Sequence, residues 1–307
     1  MAVVTNALLA ALRTGFRGEF QRVFTETPSD YASIATLVSS STASNTYGWL
    51  GQFPSLIEWI GERTIKSIKE QGYQIINKKY EATVGIPRTA IEDDELGIYK
   101  PLFAEMGRAA KVFPDQQCFS LLKAGAETLC YDGQNFFDTD HPVYPNVDGT
   151  GDATTVSNLS VVAGENAEQG AGWYLMDNGR ALRPLIFQQR TTPELDALTE
   201  TKDEAVFMTD QYRYGIRYRC NVGFSFWQLA QKSTLPLTEA NFNTVYDAMC
   251  SLRADGNLPL GIRPTHLVVP TSLRTAAQEV VVVSRKANGA DNPNAGIVKV
   301  IVTPWLN

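Results

Sequence analysis

Apolar and polar positions divide the chain into segments of contrasting rhythm. Leu8, Leu12, Phe16, Phe20 and Phe24 recur every fourth residue, an apolar stripe along one helix. A polar run, SSSTASNT (39–46), follows it. Such a stripe either packs on its own domain or serves as an arm that docks on something else, and the pattern leaves both open. Aromatic residues crowd YGWLGQFPSLIEWIG (47–61). The stretch RTIKSIKEQGYQIINKKYEATVGIPR (63–88) is rich in β-branched residues and broken at Glu70–Gly72, which predicts a long β-hairpin. Neither face of that hairpin is cleanly apolar. A mixed hairpin suits an excursion over a neighbour better than a private core.

Pro101 sits where a helix begins. Leu102, Phe103, Met106, Ala109, Ala110 and Phe113 trace its apolar face. Pro114 lacks a backbone donor and predicts a kink or split there. Asp115 is placed to cap a second segment carrying Phe119, Leu122, Ala126 and Leu129. The rod runs into an acidic, aromatic turn, CYDGQNFFDTDHP (130–142). Residues 143–172, rich in Gly, Asn, Asp and Thr, predict loop, and RALRPLIFQQR (180–190) a strand.

The cleanest alternation in the chain occupies 212–226. Tyr212, Tyr214, Ile216, Tyr218, Cys220, Val222, Phe224 and Phe226 take one face. Arg213, Gly215, Arg217, Arg219, Asn221, Gly223 and Ser225 take the other. A strand of that length extends about 50 Å, roughly three times the usual. It predicts a structural beam. Beyond it, LTEANFNTVYDAMCSLRADG (237–256) predicts a helix with Thr238 as N-cap and Gly256 past its end. THLVVP (265–270), TSLRTAAQEVV (271–281), the polar loop 284–296 and IVKVIVTPWLN (297–307) complete a small α/β lobe.

Composition narrows the function. The 307 residues are 44% hydrophobic and 20% charged, enough for a substantial core. A net charge of −6 argues against a dedicated nucleic-acid binder, which would carry a clustered basic excess. No apolar run approaches the roughly 18–20 residues that span a bilayer, and the N-terminal residues lack the features of a secretory leader. Cys118, Cys130, Cys220 and Cys250 show no CxxC spacing, so free buried thiols in a reducing compartment are expected.

Asp132, Asp138, Asp140 and His141 lie within ten residues and raise the alternative of a metal-dependent hydrolase centred on Asp138, Asp140 and His141. Yet no HExxH or Ca²⁺-loop pattern accompanies them. A turn whose Asp and Asn side chains bond nearby amides, with Phe136 and Phe137 plugging the core, is the favoured reading. His266 has no acidic or nucleophilic neighbour in sequence. No GxSxG, Walker A, GxGxxG or Cys/His pattern occurs, so neither catalysis nor a cofactor is expected. The Arg213, Arg217, Arg219 row, with its interleaved tyrosines, could form a nucleic-acid-binding β platform. Strict alternation sends arginines and tyrosines to opposite faces, which favours a buried aromatic face backed by one that meets acidic groups on another subunit.

An arm, a long hairpin, a helical rod, a β beam and a small α/β lobe are the parts of a tailed-phage shell subunit. STASNTYGWLGQFP (41–54), KKYEATVGIPRTAIEDDELGIYKPLFAEMG (78–107), LCYDGQNFFDTDHPV (129–143) and WQLAQKS (227–233) carry the likeness. Through them the chain resembles, over nearly its whole length, the Mu-like phage and prophage major head subunit family. Its members adopt the α+β Hong Kong 97-like capsid fold. The resemblance implies an N-terminal arm (1–46), an extended loop overlapping a neighbour (47–92), a peripheral domain (93–235) with a spine helix at 101–128 and long strands at 173–227, and an axial domain (236–307). In many capsids of this fold the axial unit precedes the peripheral strands, whereas here it follows them. The resemblance further implies self-assembly into pentamers and hexamers of an icosahedral shell around double-stranded DNA, without sequence-specific binding. It implies assembly in the host bacterial cytoplasm, with portal and scaffold or decoration proteins as partners. Leu8, Leu12, Phe16, Phe20, Trp49, Phe53, Trp59, Tyr73, Arg213, Arg217 and Arg219 are the expected inter-subunit contacts, the apolar ones because no partner for them is evident within the chain.

Overall fold

The computed structural model describes residues 5–50, 72–93, 95–164, 168–200, 204–286 and 288–307. Its axis is a single helix, Lys100–Lys123, with Pro near its start and Lys123 in its last turn. Pro114 does not split it. The proline removes one backbone donor, but it is buried in the helix's packed face and the flanking turns hold. Asp115 caps a different helix. Its Oδ1 accepts from Ser29 Oγ (2.9 Å) and from the backbone N–H groups of Asp30 (3.0 Å) and Tyr31 (2.6 Å), at the start of the short helix Tyr31–Ile34. Burial pushes the Asp115 carboxyl above its ordinary pKa despite those three bonds.

Two sheets flank the helix. The first runs in the order Ala35–Ser39, Leu185–Leu198, Gln211–Phe224, Lys78–Pro87, with only the Ala35–Ser39 pairing parallel. The beam is therefore 14 residues long, and its pattern holds, since Tyr212, Tyr214, Ile216, Tyr218 and Cys220 are buried and Arg217 is exposed. Leu185–Leu198 is an equally long partner that continues past the segment expected from sequence. Lys78–Pro87 pairs with the beam from Gln211↔Pro87 to Cys220↔Lys78, and Tyr73–Ile76 pairs with Ser44–Tyr47. The second limb of the expected 63–88 hairpin is thus built into the subunit's own sheets. Its first limb lies outside the described residues.

The second sheet has the order Lys299–Thr303, His266–Pro270, Trp173–Met176, Ala230–Ser233, Leu159–Ser160. It crosses the boundary expected at 235/236, because strands from both sides of that point share it. One apolar cluster likewise joins Cys118, Phe119 and Leu122 of the long helix to Phe242, Val268 and Leu306. Burial therefore does not divide where the chain order suggested. Helix Glu239–Cys250 carries the expected N-cap, with Thr238 Oγ1 accepting from Asn241 N–H at 3.3 Å. Cys118, Cys130 and Cys220 are buried free thiols and Cys250 is half-buried.

Candidate subunit interfaces and the acidic turn

The apolar stripe of the first helix, Asn6–Glu26, finds its cover inside the chain. Phe16 stacks on Phe103 with ring centroids 4.1 Å apart and meets Tyr214 edge-on at 5.4 Å. Phe16 and Phe20 are almost fully buried, in one cluster with Ile86, Phe103, Met106 and Tyr214. Gly107 makes this close approach possible, since a Cβ there would overlap the carbonyl oxygen of Phe20. The expectation that Phe16 and Phe20 lack a partner within their own chain is therefore corrected. Leu8 and Leu12 pack half-buried at the edge of the same cluster.

Tyr73 is also held internally, its hydroxyl accepting from Phe224 N–H at 3.0 Å, and burial raises its pKa. Trp49 keeps 43% of its surface exposed while touching Tyr47 and Phe226 edge-on, so it still offers apolar area. Phe53 and Trp59 lie outside the described residues.

On the outer face of the long-stranded sheet, Arg190, Arg217 and Arg219 line an open polar cleft of about 750 Å³ with Glu194 and Asp196. Glu81 and Glu194 flank Arg217 in register. Among the described residues, however, no ion pair joins these three arginines to a carboxylate. Arg219 Nε is buried without a hydrogen-bond partner. Partial burial, then the charges of Arg190 and Arg217, push the Arg219 pKa down. Arg213 stands further along the strand, opposite Gly85 and Leu198.

The acidic turn does not bring Asp138, Asp140 and His141 together. Asp138 is spent on its own loop, accepting from Asn135 N–H (3.3 Å) and Thr139 N–H (2.7 Å). Asp140 is exposed. His141 is fully buried, stacked 4.0 Å from the ring of Trp227, and its Nδ1 lies 2.7 Å from Asp132 Oδ2. Asp132 Oδ1 receives the Cys130 thiol (3.0 Å) and Gln134 N–H (3.1 Å). Burial alone would raise the Asp132 pKa, but the bonds from His141 and Cys130 outweigh it and hold the group below its ordinary value.

Cys130, Asp132 and His141 have the donor types and proximity for a divalent ion. The protons argue otherwise. With Asp132 ionised, the hydrogen of their contact sits on His141 Nδ1, and Nε2 is buried without a hydrogen-bond partner among the described residues. A metal at Nδ1 would move that hydrogen to Nε2, which has no acceptor among the described residues, and would also displace the thiol proton from Asp132. The set is better fitted as a lock on the turn.

Asn158 completes that lock, and sequence reasoning missed it. Its amide donates to the carbonyls of Phe136 (2.7 Å), Trp227 (3.3 Å) and Ala230 (3.3 Å), while its Oδ1 accepts from Asp138 N–H at 2.9 Å. It ties the turn 129–143 to the segment 227–233, two of the stretches that carried the resemblance.

Residues 9–306 match the family model of the "Mu-like prophage major head subunit gpT". The chain belongs to the Mu-like prophage major head subunit family. The major capsid protein of Escherichia phage Mu is 47% identical over 307 residues, covering 99% of this chain and all of that protein. The Mu-like prophage FluMu major head subunit of Haemophilus influenzae is 49% identical over 281 residues, covering 92% of this chain and 91% of its own. Among solved structures, the procapsid of bacteriophage JBD30 superposes with a TM-score of 0.87 at 61% identity, covering 98% of this chain and 100% of that one. The JBD30 capsid gives 0.79 at 44% identity over both full chains. The α+β fold is thus the Hong Kong 97-like capsid fold, and this head subunit is a major capsid protein, a building block of the phage shell. The Arg row and the acidic turn are parts of that building block.

Proposed function

We propose that the subunit assembles through rings of five and six copies into an icosahedral shell that encloses double-stranded DNA, and that its work is interface formation without catalysis. The full-length likeness to procapsid and capsid subunits carries this reading. The net charge of −6 supports a wall that does not grip the packaged polymer. Free buried thiols support assembly in the reducing host cytoplasm. The JBD30 capsid is also described decorated with minor capsid protein trimers, which supports a decorating partner here. A portal complex is the further partner that a DNA-filled shell requires.

Of the expected contacts, Trp49 and the Arg213, Arg217, Arg219 face remain as surfaces for a neighbouring subunit, with acidic groups as the partners of the arginines, and Phe53 and Trp59, outside the described residues, are proposed with them. Residues 1–46 serve as the arm and 47–92 as the loop region overlapping a neighbour, the second limb of that region being rooted in its own subunit. Electron microscopy of the purified, expressed chain tests the whole proposal. Rings, tubes or closed shells are expected, and a persistent monomer at concentrations where related heads form would overturn it.

A further inference from the structure

Among the described residues, two apolar features of this subunit lack a partner, and they fit each other. The first is a knob. At the tip between the two long strands, the single-turn helix Glu204–Thr209 turns Val206 inward, 3% exposed, against the cluster that holds Ile86, Ile91 and Leu195. That anchor forces Phe207 and Met208 outward, 82% and 73% exposed. Residues 204–210 are pinned in place. Asp210 N–H closes the turn on Val206 O (2.9 Å), and Asp210 O accepts from Arg88 N–H (3.0 Å), tying the knob to the end of the neighbouring strand. Holding two large apolar side chains in water on a pinned turn is unfavourable unless they are covered elsewhere.

The second feature is a groove of about 350 Å³ between the long helix and the beam sheet. Leu102, Ala109 and Phe113 form one wall, and Tyr80, Ala82 and Ile216 form the other. Its volume suits one or two large side chains. The knob cannot fold into the groove of its own subunit, because the six strand residues Gln211 to Ile216 hold it about 20 Å away.

We propose that Phe207 and Met208 of one subunit seat in the groove beneath Leu102, Ala109 and Phe113 of a second copy of this chain. The contact is heterologous, leaving each subunit with one knob given and one groove filled, so that repetition closes a ring or extends a row. A second copy is the occupant because a shell subunit is surrounded by copies of itself, and because knob and groove are apolar features of matching size on one chain, too far apart to satisfy each other. This rests on the assembly reading above.

The test uses the full chain. Phe207→Asp changes only an exposed side chain and should leave the subunit folded by circular dichroism while raising the concentration needed for assembly at least tenfold. Ala109→Glu, which plugs the groove from a solvent-facing position, should do the same. Phe207→Cys combined with Ala109→Cys should give, on mild oxidation of assembled protein, a ladder of covalent multimers in denaturing gels, and neither single variant should. Normal assembly by Phe207→Asp, or a double variant that forms shells but no ladder, would overturn the proposal. Phe207→Cys alone yielding covalent dimers would also overturn it, since the knobs would then meet each other. Failure of the unmutated chain to form particles would instead count against the shell reading, so the two failures are distinguishable.

Discussion

Asp115 separates two ideas about how the N-terminal segment is fastened to the long helix. If the carboxylate acts as a hydrogen-bond acceptor, the bonds matter and the charge does not. All three donors, Ser29 Oγ, Asp30 N and Tyr31 N, converge on Oδ1. Asp115→Asn retains an acceptor oxygen at that point and removes a charge that burial penalises. Asp115→Ala removes the acceptor and strands three donors. At about 0.5–1.5 kcal/mol for each bond, and with water able to reach some of the donors, Ala should cost about 2–4 kcal/mol. Asn should stay within about 1 kcal/mol of the parent.

The pH dependence has a definite sign. A folded-state pKa above the unfolded value means the ionised group opposes folding at neutral pH. That cost is relieved as pH falls through the folded pKa, and relief is complete below the unfolded value near 3.8. The stability difference between Asn and parent should therefore narrow on acidification. Urea unfolding of unassembled subunits at several pH values measures this, and hydrogen exchange at residues 30–35 localises it. If Asn is as damaging as Ala at pH 7, the charge itself holds the segment and the reasoning fails.

Two further predictions concern other contacts of the subunit. Gly107→Val should cost about 1–3 kcal/mol by forcing the first helix off the long one at Phe20, and should expose residues 6–26 to protease before global unfolding; an unchanged cleavage pattern would refute the close-approach argument. Asp132 has a lowered folded pKa, so its contribution is fully present well above pH 3.8 and is lost as pH falls through the folded value. Asp132→Asn should flatten the acid limb of the stability profile, and a chelator should leave the parent's unfolding midpoint unchanged, as measured by thermal scanning. A chelator-induced drop would favour an ion over the Asp132–His141 lock.

How far the sequence could be read depended on how local each determinant was. The beam was legible because period-two alternation with one buried face is written into consecutive residues, Tyr212 to Phe224. The first helix was legible as a helix, but its stripe says only that something covers it. That Phe103 and Tyr214 do so depends on packing across the chain. Pro114 shows a local rule losing to tertiary burial, and Asp115 beside it serves a helix some 85 positions away. In the acidic turn, nearness in sequence suggested Asp138, Asp140 and His141 as a set, whereas the fold returns Asp132 to His141. Asn158 was hidden in a stretch whose composition speaks only of loop, and its carbonyl partners come from two distant segments.

The crossing of sheets and chain order has a consequence in time. Ala35–Ser39 waits for Leu185–Gln189 to pair with it, and His266–Pro270 waits for Lys299–Thr303. Pairings of such long sequence separation form slowly and late. A nascent chain can close its first sheet only once Phe224 has been made, and its second only with Lys299–Thr303, almost the last residues. The second sheet, which unites both ends of the chain, is thus the last part of the subunit that synthesis permits, and a half-made copy is an incomplete building block.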